Sequence, residues 1–298
     1  MEKIDGKILE QLWRPKKESH KGQNGKLLII GGSELFHAAS RWALRVASRI
    51  VDLVFYSSVP QNNRLIEEAK GEFWDGIVVP RGEVESYIKE ADCVLIGPGM
   101  VRSEGRSRKW EKVEEMLESD DTAAIVEYLF SKYPKKRWVV DAGALQMMRV
   151  ERINPQMILT PHVREFERLF GKKIEVLIEE RQVREENRTV RAVREVVAKY
   201  GGTVVLKGPV DLVCSRQRCG YNTTGNEGMT KGGTGDVLAG LIAAFYCKSE
   251  AFAASAAGVY VNGLAGDRLY RRVGPYFNAS DLVEEIPVVL GELLGKRG

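Results

Sequence analysis

The sequence predicts an α/β fold in which a mostly parallel central sheet carries helices on both faces, organised as one domain over residues 1–298. Two observations carry that expectation. Short apolar runs of the kind buried on both faces alternate with stretches of helical spacing. The connectors are short, and no Pro/Ser-rich linker or internal repeat interrupts the alternation.

Taken in order, residues 1–24 read as a basic N-terminal arm, and residues 26–32 as a buried strand ending in Gly31-Gly32. Residues 39–50 have helical spacing, and 51–57 return to strand. Strand 77–80 leads into a short helix at 83–90 and then strand 93–99. Two helices are expected over 106–118 and 122–132, followed by strand 137–143. Strand 157–162 opens onto a helix beginning near Arg164. Residues 181–200, polar on one side and apolar on the other, read as a long solvated crossover helix. Strand 203–208 leads into a hairpin of 210–215 with 218–222. Residues 232–247 and 251–270 are rich in small residues and nearly free of charge, so both should be buried helices, in the core or at an interface between copies of a homo-oligomer.

Composition excludes several classes of function. The net charge of +4 is too small and too evenly spread for a nucleic-acid protein recognised by charge. Hydrophobic residues at 44% with 29% charged residues fit a globular chain with a substantial core. No apolar run approaches the roughly 18 residues of a bilayer span, and the N-terminus lacks the features of a secretory signal. A cytoplasmic protein without a membrane partner is expected. The cysteines, Cys93, Cys214, Cys219 and Cys247, form no CxxC pair, and His20, His37 and His162 are far apart, which argues against structural zinc. Cys214 and Cys219 flank a Ser-Arg-Gln-Arg turn and could face each other. Free thiols are expected in a reducing cytoplasm, with a bridge only in a disulfide-tolerant hyperthermophile.

The chemistry is written at the strand ends. In a parallel sheet, ligands sit beyond the carboxyl ends of the strands. Those ends here are Gly31-Gly32-Ser33, Gly97-Pro98-Gly99, Asp141-Ala142-Gly143, Thr160-Pro161-His162 and Lys207-Gly208, which together suggest one ligand cleft. The strongest signal is the segment 222–236, which runs into an apolar helix. Gly232, Gly233 and Gly235 clear side chains from a turn whose N–H groups can converge on an anion at the positive end of that helix. Asp236 stands in the first helical turn, where a carboxylate would repel bound phosphate. It makes sense as the base that deprotonates a hydroxyl attacking that phosphate. No G-x-x-x-x-G-K-[ST] loop is present, and the first strand end does not make G-x-G-x-x-G.

A glycine turn followed by Asp resembles the ribokinase-like kinases. With HKGQNGKLLIIGGS (20–33), VLIGPGM (94–100), VVDAGAL (139–145), LTPHVREFERL (159–169), VVLKG (204–208) and NTTGNEGMTKGGTGDVLAG (222–240) in this order, the chain resembles the ADP/ATP-dependent NAD(P)H-hydrate dehydratases from His20 to about Gly266. That resemblance implies a ribokinase-like three-layer α/β/α sandwich. It also implies a reaction in which the C6 hydrate of NADH or NADPH is dehydrated at the expense of ATP or ADP. Phosphorylation of the hydroxyl would make it a good leaving group. Asp236 would be the base, with Gly233, Thr234 and Gly235 holding the phosphoryl group. Ala39, Gly99 and His162 would join Asp236 in contacting the hydrated dinucleotide. Lys207, Gly208, Pro209, Val210, Asp211, Asn226 and Gly235 would contact the adenine nucleotide. Mg²⁺ would accompany the phosphates, with Glu165 orienting it through water.

The chain departs from the family pattern in two places. Phe36 and Ala38 stand where the family usually has a tyrosine and a glycine, and Gly143 where a second Asp is common. His162 after Thr-Pro could equally cap the next helix. With about 25 residues before the first strand, no attached epimerase domain is expected, so a separate epimerase would serve the other epimer. The rival readings are a small-molecule kinase acting on a thiazole or pyrimidine alcohol and a non-catalytic adenylate sensor.

Overall fold

The computed structural model describes residues 1–69, 75–102 and 110–295. Among these, ten strands form one sheet: β1 (Glu2–Lys3), β2 (Lys26–Ile30), β3 (Leu53–Ser57), β4 (Ile77–Val78), β5 (Cys93–Ile96), β6 (Arg137–Val140), β7 (Met157–Leu159), β8 (Thr203–Leu206), β9 (Asp211–Cys214) and β10 (Cys219–Asn222). Their order is β1-β10-β9-β8-β7-β6-β5-β2-β3-β4. The seven strands from β4 across to β8 are mutually parallel, β9 is antiparallel to both β8 and β10, and β1 runs parallel to β10. The chain winds outward from β2 to β4 and then returns to β5 on the other side of β2. The crevice of such a sheet opens where the winding reverses, beyond the carboxyl ends of β2 and β5.

The helices are α1 (Ala38–Ala47), α2 (Pro60–Glu68), α3 (Val84–Glu90), α4 (Val113–Glu118), α5 (Thr122–Lys132), α6 (Ala142–Met147), α7 (Val163–Phe170), α8 (Arg188–Tyr200), α9 (Thr234–Tyr246), α10 (Ala251–Val273) and α11 (Ala279–Gly295). Alternate strand residues point to opposite faces, so the sheet separates two cores. Leu27, Ile29, Leu95, Val139 and Ile158 pack under α1, α9, α10 and α11. Leu28, Ile30, Val94, Ile96, Trp138 and Leu159 pack under α3, α5 and α8. The layered α/β sandwich expected from the sequence is therefore present. The small-residue helices α9 and α10 lie in the core. No helix of the described residues is long and apolar enough to cross a membrane.

Several local expectations are corrected. The N-terminal arm is part of the fold. β1 pairs with the outer edge of β10, and a 3-10 helix at Gly6–Gln11 buries Ile8 and Leu9 alongside Ile4 and Leu12. Pairing removes an open sheet edge, and the apolar residues cover the α10 side of the core. The helix expected at 181–200 starts at Arg188, because the Asn187 side chain accepts hydrogen bonds from the Thr189 and Val190 amides. The helix expected at 106–118 begins at Val113; residues 106–109 lie outside the described residues. Helices α2, α6 and α11 were not expected. Cys214 and Cys219, expected as free thiols, form a disulfide. They are direct partners in β9 and β10 with Cα atoms 4.2 Å apart, while the next pair out carries the hydrogen bond from Ser215 N to the Arg218 oxygen. A non-hydrogen-bonded antiparallel pair makes the closer approach of the two kinds. Cys93 and Cys247 are free and buried.

Candidate active site

The five strand ends meet along one sheet edge. Gly32 N donates to the Pro98 oxygen at 2.7 Å, and Lys207 N donates to the Pro161 oxygen at 2.8 Å. In the middle lies Asp141, 2% exposed, whose Oδ1 accepts from Thr160 Oγ1 at 2.8 Å and from Lys207 Nζ at 2.8 Å. The chain leaves Asp141 through Ala142 at φ 44°. That is the left-handed region, which an L-residue occupies at a cost of about 1–2 kcal/mol. Beneath the β2 end, Arg81 is buried and donates to the Gly31 oxygen at 2.6 Å and the Gly32 oxygen at 3.3 Å. Burial pulls its pKa down to about 10. Sequence reasoning missed Asp141 and Arg81 as site residues. Asp141 stood in a quoted motif, but nothing local to it named its partners.

The glycine turn closes the edge from α9. Gly233 adopts φ 97°, and a Cβ there would overlap the Trp42 ring of α1, so both conformation and space require glycine. The Thr234 hydroxyl donates to the Met229 oxygen at 2.7 Å and the Lys231 oxygen at 3.0 Å. Its side chain therefore braces the turn and leaves the backbone to meet a ligand. In the first turn of α9 the Thr234 amide donates to the Lys231 oxygen at 3.4 Å and the Val237 amide to the Gly233 oxygen at 3.0 Å, so an anion at the helix start would meet the Gly235 and Asp236 amides. Upstream, Asn226 donates its amide to Asp267 Oδ1 at 3.1 Å, while its oxygen accepts from Gly228 N at 3.0 Å. Gly225 N donates to Asp267 Oδ2 at 3.1 Å. Asp267, on α10, had no signal in the sequence. It pins the loop that delivers the turn.

Charge is concentrated here. Burial, reinforced by the nearby Asp141 and Glu165 carboxylates and opposed by Lys207, pushes Asp236 up to about 7. Burial alone would lower Lys207, but Asp141, Glu165 and Asp236 outweigh it and hold the ammonium above its ordinary value. A Cβ on Gly235 would stand 3.6 Å from Lys207 Nζ, which places that ammonium at the mouth of the glycine turn. Burial raises Asp211 to about 6 against hydrogen bonds from Asn222 and the Gly208 amide.

The remaining candidates fall in two places. Ala39 and Gly99 are neighbours at the switch point: a Cβ on Gly99 would come 3.2 Å from that of Ala39 and 2.6 Å from the Phe36 oxygen. Leu35 and Phe36, 70% and 52% exposed, stand over them. At Gly143 a side chain would overlap the Met100 carbonyl, so no second Asp fits there. His162 caps α7, its Nδ1 accepting from Glu165 N at 3.2 Å. The segment Lys207, Gly208, Pro209, Val210 and Asp211 turns tightly into β9, with Val210 N donating to the Leu177 oxygen at 3.1 Å.

The Glu165 oxygens accept from Gln146 Nε2 at 3.1 Å and His162 N at 3.0 Å. Among the described residues no three His, Cys, Asp or Glu side chains converge to hold a metal. Three carboxylates against one lysine nevertheless leave the edge with an excess of negative charge. Phosphates brought there fit best with a hydrated Mg²⁺ held mainly by the phosphates themselves.

Comparison with known proteins bears on the family and the fold. A family model described as NAD(P)H-hydrate dehydratase matches residues 27–288. The bifunctional NAD(P)H-hydrate repair enzyme Nnr of Methanocaldococcus jannaschii is 34% identical over 95% of this chain and 51% of its own length. The chain thus spans about half the length of that relative. The ADP-dependent (S)-NAD(P)H-hydrate dehydratase of Cenarchaeum symbiosum is 31% identical over 92% of this chain and 91% of its own. Among solved structures, the ADP/ATP-dependent NAD(P)H-hydrate dehydratase of Bacillus subtilis, crystallised with ATP and Mg²⁺, superposes with a TM-score of 0.75. It covers 98% of each chain at 22% identity, which is a likeness of fold.

Proposed function

The chain belongs to the NAD(P)H-hydrate dehydratase family, and from that premise we propose that it converts the S epimers of NADHX and NADPHX to NADH and NADPH, using ADP or ATP. One observation carries the mechanism. Asp236, with its pKa near 7, stands in the first turn of α9, where an anion would bind.

A base poised near neutral pH is ionised often enough to act and basic enough to accept a hydroxyl proton. In this reading the C6 hydroxyl of the hydrate gives its proton to Asp236 as its oxygen attacks the terminal phosphorus. The bond from phosphorus to the nucleotide breaks. The ring nitrogen lone pair then expels phosphate from C6, and loss of a C5 proton completes the dihydropyridine. The Gly233–Gly235 turn receives the phosphoryl oxygens on backbone amides. Ala39, Gly99 and His162 border the dinucleotide, and the 207–211 turn with Asn226 borders the adenine nucleotide. Glu165 would hold, through water, an Mg²⁺ carried by the nucleotide, and such an ion would supply neutralisation of phosphate charge. Action in the cytoplasm and assembly with copies of itself belong to the same proposal, and epimerisation of the R form would be a separate activity.

The test is to incubate the protein with prepared NADHX, Mg²⁺ and ADP or ATP while following the reduced-nicotinamide absorbance. The expected result is rising absorbance with one inorganic phosphate released per NADH formed. A stable phosphate ester would make the protein a kinase, and nucleotide binding without turnover would make it a sensor.

A further inference from the structure

Lys207 lies where β8 opens onto the cleft. Its backbone is fixed by the bond to Pro161 and by a parallel bridge to His162. Its side chain turns inward and is 19% exposed, with the ammonium 2.8 Å from Asp141 Oδ1. Asp141 is in turn fixed by Thr160 and by its place ahead of α6. The ion pair is largely buried, so removing either partner would leave an uncompensated charge inside the fold. What it does here is hold a positive charge against Gly235, at the mouth of the turn, without letting it collapse onto Asp236.

We propose that Lys207 is a catalytic residue whose ammonium touches the phosphoryl group in transfer, and that Asp141, seconded by Thr160, is the positioning residue that keeps it there. This rests on the site being one of nucleotide-dependent phosphoryl transfer. It goes beyond a nucleotide-lining role for Lys207 and assigns Asp141 and Thr160 a part in the reaction. In the step itself, the bond from the hydroxyl oxygen to phosphorus forms and the bond from phosphorus to the nucleotide breaks. The proton passes to Asp236. Lys207 stays protonated throughout and supplies only charge.

Without the Asp141 carboxylate, the nearest anions left to the ammonium are Asp236 and Glu165. Pairing with Asp236 would withdraw the cation from the turn and make the base a weaker one. The groups facing Asp236 are Asp141 after β6, Lys207 after β8 and Glu165 on α7, so Asp141→Asn removes one like charge and frees the one opposite charge.

The experiment compares the parent with Lys207→Met, Lys207→Arg, Asp141→Asn and Thr160→Val. It measures binding of ADP and adenosine by calorimetry, kcat and KM on NADHX, and thermal unfolding. Lys207→Met should lose about tenfold or more in ADP affinity, the value of one charge-assisted bond, with adenosine affinity unchanged. Its kcat should fall by roughly 10²–10³. Lys207→Arg should recover ADP affinity in part. Asp141→Asn should bind ADP nearly as the parent does, yet lose about tenfold or more in kcat and shift the acid limb of its pH profile downward. Thr160→Val should move kcat in the same direction by less, which keeps the test alive if Asp141→Asn fails to fold. A parent-like ratio of ADP to adenosine affinity in Lys207→Met overturns the contact. A folded Asp141→Asn with unchanged kcat and acid limb overturns the positioning role. If the parent itself does not turn over NADHX, the dehydratase reading fails, while the ADP-to-adenosine ratio still decides the Lys207 contact.

Discussion

Replacing Asp236 by Asn should abolish turnover and stabilise the protein at the same time, and the second effect should depend on pH. The carboxyl has an ordinary pKa of 3.8 and about 7 in the folded chain. Folding therefore favours its protonated form. Below the ordinary value the group costs the fold nothing, and the cost grows as pH rises from there through about 7, where it is complete. The three-unit difference sets a ceiling of about 4 kcal/mol. Asp236 keeps partial contact with solvent at the cleft, which reduces that to about 1–2 kcal/mol. Asn is nearly isosteric and carries no charge. The variant should melt roughly 2–4 °C above the parent at pH 8 and within a degree of it at pH 4. Loss of a general base should lower kcat by about 10²–10⁴, with ADP affinity equal or better because a charge beside the phosphates is gone. The assays are calorimetric melting at the two pH values and NADHX turnover. An equal melting difference at pH 4 and pH 8 would refute the electrostatic account, and near-normal turnover would refute the role of base.

Further expectations concern the backbone and the hairpin. Ala142→Gly relieves the left-handed conformation at φ 44° and should stabilise the fold by about 0.5–1 kcal/mol by denaturant titration. Gly233→Ala forces a methyl into the Trp42 ring and should cost about 2 kcal/mol or more together with turnover. Gly235→Val faces only Lys207 Nζ, so its melting temperature should hold while ADP affinity falls. Thiol titration in denaturant should find two free thiols without reductant, Cys93 and Cys247, and four with it. A Cys214→Ser, Cys219→Ser double variant should lose about 2 kcal/mol, the loop-closure value for so short a loop, and keep its activity.

The strands at 26–30, 93–96 and 137–140 were legible because a strand buried on both faces needs an unbroken apolar run, a property of neighbouring residues alone. The glycine turn and Asp236 were legible for a similar reason. A backbone that must receive an anion at a helix start clears its own side chains, and three glycines in one turn are more than a helix start needs for an Asp that merely favours its dipole. By contrast, the 3-10 helix at Gly6–Gln11 was not legible. It exists because Ile8 and Leu9 find apolar cover on the α10 side of the core once β1 has docked on the edge of β10, a fact known only once the sheet order is known. Nor were the site's contacts across the fold. Lys207 meets Asp141 from 66 positions away, and Arg81 holds the Gly31 oxygen from 50. Asp267 pins Gly225 from 42. Trp42 lies on Gly233 from the far third of the chain. The sequence by itself determined most of the strands and the buried helix after the glycine turn, and it singled out Asp236 as the candidate base, because those depend on local backbone chemistry and periodicity. Which charges face that base was decided only in the tertiary structure, because strand order and register bring together residues that no local pattern relates.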